Sequence, residues 1–152
     1  MNTYNTVRSE HLNHHEFLFG GQMLFWVDEY AWLTAARDFP GYRLVTRGMD
    51  RISFEKAVIN GSILRFHILP VHQGSSSITY QVDVYGDAPG AEEEVLVFSN
   101  KVTFVSVDCN GLKNPLPRRD KLRSQVEDFD PTPAGPYGVQ AASCPDSDEE
   151  LK

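Results

Sequence analysis

The sequence predicts an α+β domain in which one long central helix is wrapped by a curved antiparallel β-sheet. Three observations carry that expectation. Gly20 to Phe39 reads as a single helix, apolar around most of its circumference; four β-rich runs follow it with no second strong helix; and short turn-forming segments separate those runs. A chain of 152 residues, 41% hydrophobic, suits one globular core better than two. The domain is therefore expected over residues 1–130. Residues 131–152 form an acidic tail rich in Pro, Gly and Ser, expected to be disordered because it offers little apolar surface to bury.

The helix, GGQMLFWVDEYAWLTAARDF, closes at Pro40-Gly41, since Pro cannot continue a helix and Gly readily turns. At 100° per residue Met23, Leu24, Val27, Tyr30, Ala31, Thr34 and Ala35 share one face, while Phe25, Trp26, Trp32 and Leu33 make the other side apolar as well. A helix of that kind is expected to be buried all round. The strands that would wrap it are Arg43–Lys56, Ser62–His72, Ser76–Gly86 and Val95–Asp108. Between them stand Ile59-Asn60-Gly61, His72-Gln73-Gly74 and Asp87-Ala88-Pro89-Gly90, compositions that suit an antiparallel meander. A long helix in a curved sheet of this kind is the hot-dog architecture.

Charge and composition narrow the function. The formal net charge of −7 gives no general attraction to nucleic acid or to an anionic membrane, so neither is an expected partner. The N-terminal residues lack the basic and apolar regions of a secretion signal, and no run approaches the roughly 20 apolar residues that span a bilayer. A cytoplasmic location is expected. Cys109 and Cys144 have neither metal-ligand spacing nor disulfide density, and no metal is expected.

Chemistry concentrates at the start of the helix. Gly20 and Gly21 let a ligand approach closely, and the unpaired N–H groups and positive dipole end there can stabilise an oxyanion. Plain close packing would also place a Gly-Gly at a helix start. Asp28 sits at the margin of the Leu24/Ala31/Ala35 face, where a carboxylate is costly unless paired or used. It could cap a backbone N–H or reach solvent beside Glu29. It could equally activate a water or attack a carbonyl, and a thiolate leaving group, from a thiol of pKa about 8.5, would need little acid help. Asp28 lies seven residues beyond Gly21, about 10 Å along the helix. One carbonyl cannot meet both from one chain, so joint action requires a two-fold dimer with composite sites.

These residues resemble the hot-dog acyl-CoA hydrolases, a family that includes short bacterial enzymes and mammalian cytosolic enzymes with two fused domains. The likeness runs from about Arg8 to Pro117. Asn13-His14-His15-Glu16-Phe17-Leu18-Phe19-Gly20-Gly21 followed by Asp28 is similar to the family's Asn-x-x-Gly-x-x-x-Gly-Gly motif and helical acid. Arg47-Gly48-Met49-Asp50-Arg51-Ile52-Ser53-Phe54 resembles its V-D-R-I-x-F strand motif, and Val58-Ile59-Asn60-Gly61-Ser62 a following turn. Gly74-Ser75-Ser76-Ser77 and Phe104 to Asp108, with Gly111 and Pro117, resemble the later turn and closing strand. One departure stands out: the family's Gly within the first motif is here Glu16, beside His15.

The resemblance implies acyl-CoA thioester hydrolysis without a separate cofactor, coenzyme A being part of substrate and product. It implies Asp28 as base or nucleophile, Asn13 as the residue that positions water or thioester, and Gly21 as backbone oxyanion donor, with Gly20 and His15 as further candidates. His14 and His15 could also form a metal pair, though adjacent loop histidines are commonly surface residues. For the phosphates of coenzyme A the candidates are Arg47, Arg51, Ser75, Ser76 and Ser77, with Arg65 and the Lys113/Arg118/Arg119 group behind them. The family also implies a homodimer at least, and a hexamer built as a trimer of dimers. Two other functions stay open at this point. A hot-dog hydratase or dehydratase would use a His with a helical acid, such as His15 with Asp28, and a non-catalytic acyl-CoA-binding regulator could dispense with Asp28.

Overall fold

The computed structural model describes residues 1–119; the expected acidic tail at 131–152 lies outside them. The elements run β1 (Asn2–Thr6), a 3-10 turn (Ser9–His11), α1 (Gly20–Asp38), β2 (Arg43–Met49), β3 (Ile63–Gln73), β4 (Ser77–Asp87) and β5 (Val95–Val107). All pairings are antiparallel, in the spatial order β1-β3-β4-β5-β2. This is the expected hot-dog arrangement, one long helix packed on a curled five-stranded sheet. Among the described residues no helix is long and apolar enough to cross a membrane.

Strict alternation in β4 shows how the sheet holds the helix. Ile78, Tyr80, Val82 and Val84 are buried on the helix side, while Thr79, Gln81 and Asp83 face outward. The same face continues through Leu64, Phe66 and Ile68 of β3 and Phe98, Val102 and Phe104 of β5, forming one core cluster with the helix. Phe66 meets Tyr30 and Trp26 edge-on, with ring centroids 4.9 and 6.4 Å apart.

Three expectations need correction. The helix is not buried all round within one chain: Met23, Trp26, Val27, Ala31, Thr34 and Ala35 face the sheet, whereas Phe25, Trp32 and Leu33 are exposed. A five-stranded sheet covers only one side of a cylinder, and Trp26, assigned to the far side, turns inward. The first long strand ends at Met49 rather than Lys56, because a bulge between Thr46 and Gly48 bends β2 and leaves Arg47 unpaired in the ladder. Beyond it the chain follows β5 only at isolated points, through Asp50 N–H to Lys101 O (3.0 Å) and Glu55 N–H to Val97 O (3.0 Å). Finally, β1 went unpredicted. NTYNT has no hydrophobic face, and its backbone ladder to β3 holds it in place.

The end of the helix is tied to the C-terminal segment. The buried Tyr80 hydroxyl donates to Asp38 Oδ2 (2.7 Å), and Arg119 Nε lies 2.8 Å from the same carboxylate. Burial, and then the bond to Asp38, hold the Tyr80 phenol far above its usual 10.0. Above pH 10 an unfolded Tyr80 would lose its proton while the folded one keeps it, so this residue's contribution to stability is present below pH 10 and falls as pH rises. Urea unfolding at pH 9 and pH 11 should therefore show a steep alkaline loss that Tyr80→Phe reduces; an unchanged loss in the variant would refute it.

Candidate active site

The loop before the helix is organised by Asn13. Its Oδ1 accepts the backbone N–H of His15 (2.9 Å) and of Phe17 (3.3 Å), while its main chain bonds Phe17 O (2.8 Å) and Glu16 N–H (3.0 Å). This Asx turn leaves the Asn13 amide nitrogen as the group able to face a ligand. Glu16 has φ of 64°, the left-handed region that favours Gly. The loop thus holds a glutamate in a backbone geometry that Gly adopts readily, at the position where the resembled motif carries Gly. Glu16→Gly should raise thermal stability by about 1 kcal/mol; a lower melting temperature would count against this account.

At the helix start, Gln22 and Met23 N–H both bond Phe19 O (3.0 and 3.2 Å), and no side chain caps the end. Among the described residues the N–H groups of Gly20 and Gly21 have no partner. Neither position has room to spare: a Cβ on Gly20 would stand 3.0 Å from the Phe54 ring, and one on Gly21 2.7 Å from the Phe19 ring.

Two turns along, Asp28 is half-buried and its Oδ1 accepts a hydrogen bond from Thr46 Oγ1 (2.8 Å). Thr46 follows Leu44 at a spacing of two on β2, so both point toward the helix; at Leu44 the main-chain oxygen accepts from Trp32 Nε1 (3.2 Å). Sequence reasoning missed Thr46, because only the pairing of α1 against β2 brings it to Asp28. Strand β2 pairs with β5 alone, so this carboxylate and hydroxyl sit at the free edge of the sheet.

The remaining candidates disperse. His14 and His15 are exposed and stack on each other, with ring centroids 3.9 Å apart. Among the described residues no three His, Cys, Asp or Glu side chains gather as metal ligands. Arg47, at the bulge, and Arg51, beyond β2, are exposed. Arg65 is occupied by Glu94, with Nε 3.0 Å from Oε2, and lies 4.3 Å over the Tyr85 ring. Its hydrogen bond holds the Glu94 carboxyl below the usual carboxylate range.

The Gly74–Ser77 turn is braced by Leu116 N–H to Ser75 O (2.8 Å) and Ser106 N–H to Ser76 O (2.8 Å). Ser75 opens on a cleft of about 620 Å³ with Gln73, Arg118 and Arg119. Arg119 ties this cleft to Asp38, the last residue of α1, about 27 Å along the helix from Gly20. Within one chain the serine turn and the glycine N–H groups therefore lie at opposite ends. A second cleft, about 440 Å³ and mostly apolar, opens beside Gly20.

The sequence profile of the thioesterase superfamily matches residues 15–92, just over half of the 152 residues. The chain belongs to the thioesterase superfamily. In this superfamily member the matched stretch runs from the His15 loop through α1, β2, β3 and β4. A curated relative, an uncharacterized acyl-CoA thioester hydrolase of Bacillus subtilis (strain 168), is 31% identical over 106 residues, covering 70% of this chain and 61% of the relative. The chain thus spans less than two thirds of that relative's length. The solved acyl-CoA hydrolase of Bacillus cereus superposes with a TM-score of 0.72 at 25% identity, covering 83% of this chain and 81% of that one. The Staphylococcus aureus acyl-CoA hydrolase, solved with butyryl coenzyme A, coenzyme A and coenzyme A disulfide, gives 0.70 at 25%, covering 84% and 81%. A hexameric thioesterase of Yersinia pestis shares the fold at 0.69 and 23%, covering 76% and 93%.

Proposed function

We propose that this thioesterase-superfamily protein hydrolyses acyl-CoA to a free carboxylic acid and coenzyme A, in a site shared by two copies of the chain. The observation that carries this reading is the placement of a Thr46-held Asp28 about 10 Å along the helix from the free Gly20 and Gly21 N–H groups. Asp28 of one copy takes a proton from water as the water attacks the thioester carbon. The Gly21 N–H of the other copy receives the developing oxyanion, and the Asn13 amide orients the water or the thioester. Collapse of the intermediate breaks the C–S bond and releases the coenzyme A thiolate. Direct attack by the Asp28 carboxylate is the second route open to the same group.

The spacing of the residues replaced in variants of the S. aureus enzyme supports this assignment. Variants of it have been solved with an Asn, an Asp and a Thr each replaced by Ala, the Asp fifteen positions after the Asn and the Thr seventeen after the Asp. Asn13 and Asp28 are also fifteen apart, and Thr46 follows Asp28 at eighteen, one more than in that enzyme. The exposed Phe25, Trp32 and Leu33 and the free β2 edge are the surface that pairing of two copies would cover. Such dimers assemble further into a hexamer; the Y. pestis thioesterase is hexameric. Coenzyme A phosphates are met by exposed Arg47 and Arg51, and by the cleft of Ser75, Arg118 and Arg119 with its neighbours Ser76 and Ser77. That cleft lies beyond Asp28 on the subunit supplying the carboxylate.

Co-expression of two inactive chains tests the shared site. Gly21→Pro removes the N–H at a first-turn position whose backbone Pro tolerates, with the exposed Phe19 ring shifting to make room, and Asp28→Ala removes the carboxylate. Random pairing should restore about a quarter of wild-type thiol release, because half of the dimers carry one intact site of two. Purified mixed oligomers as inactive as their parents would overturn the shared site.

A further inference from the structure

We infer that the apolar cleft beside Gly20 receives the acyl chain of the substrate, and that Phe54 limits the chain length it accepts; this rests on the hydrolase reading above. The cleft, about 440 Å³, falls within the range of small-ligand sites and is lined by Phe17, Leu18, Met23, Phe54, Ala57 and Val58, with Glu55 and Lys56 as its charged residues. It is continuous with the oxyanion position, because Gly20 itself forms part of the wall. A thioester carbonyl held by the helix N-terminus therefore has its apolar substituent facing an apolar surface. The pantetheine arm carries two amides, which would be left short of partners against such a lining.

The shape of the cleft follows from how its walls are anchored. One end is closed by Leu18 N–H to Val58 O (2.8 Å) and by the bridge between Phe17 and Ile59. Met23 and Val58, 2% and 6% exposed, form a floor that cannot deepen without disturbing the core. At the other wall the Phe54 backbone is pinned to β5 by its bridge to Phe98 and by Glu55 N–H to Val97 O (3.0 Å). Its ring packs on Phe98, with centroids 5.3 Å apart, yet remains 50% exposed and reaches over Gly20. A ring on a fixed backbone, lining the cleft and reaching over Gly20, is a stop that a longer chain must pass.

The test is kcat/KM for straight-chain acyl-CoAs from butyryl to dodecanoyl, with wild type, Phe54→Ala and Ala57→Phe. Ala57 is exposed and Phe54 half-exposed with one face of its ring on Phe98, and comparing chain lengths within each variant separates selectivity from any loss of that packing. Phe54→Ala should raise the dodecanoyl-to-butyryl ratio by about tenfold or more, and Ala57→Phe, which fills the cleft, should lower it by about tenfold. Ratios within twofold of wild type in both variants, including uniform losses across the series, would overturn the inference while leaving the hydrolase reading intact. A wild type that cleaves none of the series overturns both.

Discussion

Asp28→Ala is expected to lower kcat for acyl-CoA hydrolysis by about a thousandfold, within the range that a positioned general base contributes. The carboxylate is half-buried at the edge of the sheet, and among the described residues its one hydrogen-bond partner is the Thr46 hydroxyl at 2.8 Å. Its removal therefore takes away a reacting group without opening the core. The melting temperature should stay within a few degrees of wild type. Thr46→Val keeps the shape and deletes the donor, so Asp28 loses its orientation but not its charge; about a tenfold loss in kcat is expected. Asp28→Asn, which retains the hydrogen bond but not the basicity, should behave as Asp28→Ala does. Thiol release followed with several acyl-CoAs decides the matter: an Asp28→Ala protein as active as wild type would end the role given to Asp28, and a wild type that releases no thiol would end the hydrolase assignment.

Phe66→Ala is expected to destabilise the fold by about 4 kcal/mol, from the lost burial of an aromatic ring and the cavity left behind. Phe66 is fully buried on the helix face of β3 and meets two aromatic rings edge-on. Tyr30, one of them, is also bonded at its hydroxyl by Asn5 Nδ2 (2.8 Å), so the cavity would loosen the contact between α1 and the edge strand β1. Urea unfolding should be compared at one protein concentration, since association adds to apparent stability. A loss below about 1.5 kcal/mol would mean that the sheet closes over the space.

Much of this molecule was legible from its residues. The apolar run from Met23 to Ala35, ended by Pro40-Gly41, specifies the helix to within a residue of its observed end at Asp38. Period-two runs mark β3, β4 and β5 to within about a residue of their ends. Local preference and hydrophobic period act over a few neighbours, so such features can be read along the chain. The Gly20-Gly21 pair and Asp28 were likewise visible from residue type and spacing, and Asn13 through the family resemblance.

Other features depended on contacts between distant segments. Thr46 is an ordinary strand residue until α1 crosses β2 and brings it to Asp28. Strand β1 is polar and becomes a strand through its ladder to β3. The serine turn, assigned to coenzyme A by resemblance, stands at the far end of the helix from the glycines, where Arg119 and Tyr80 meet Asp38. By itself the sequence determined the helix, the main strands, and the glycine and carboxylate too far apart on one helix to act on one carbonyl. Tertiary structure alone decided which hydroxyl holds that carboxylate, which helix face stays open and where an apolar cleft opens beside Gly20. Those depend on pairing, bulges and curvature, which arise between segments far apart in the chain.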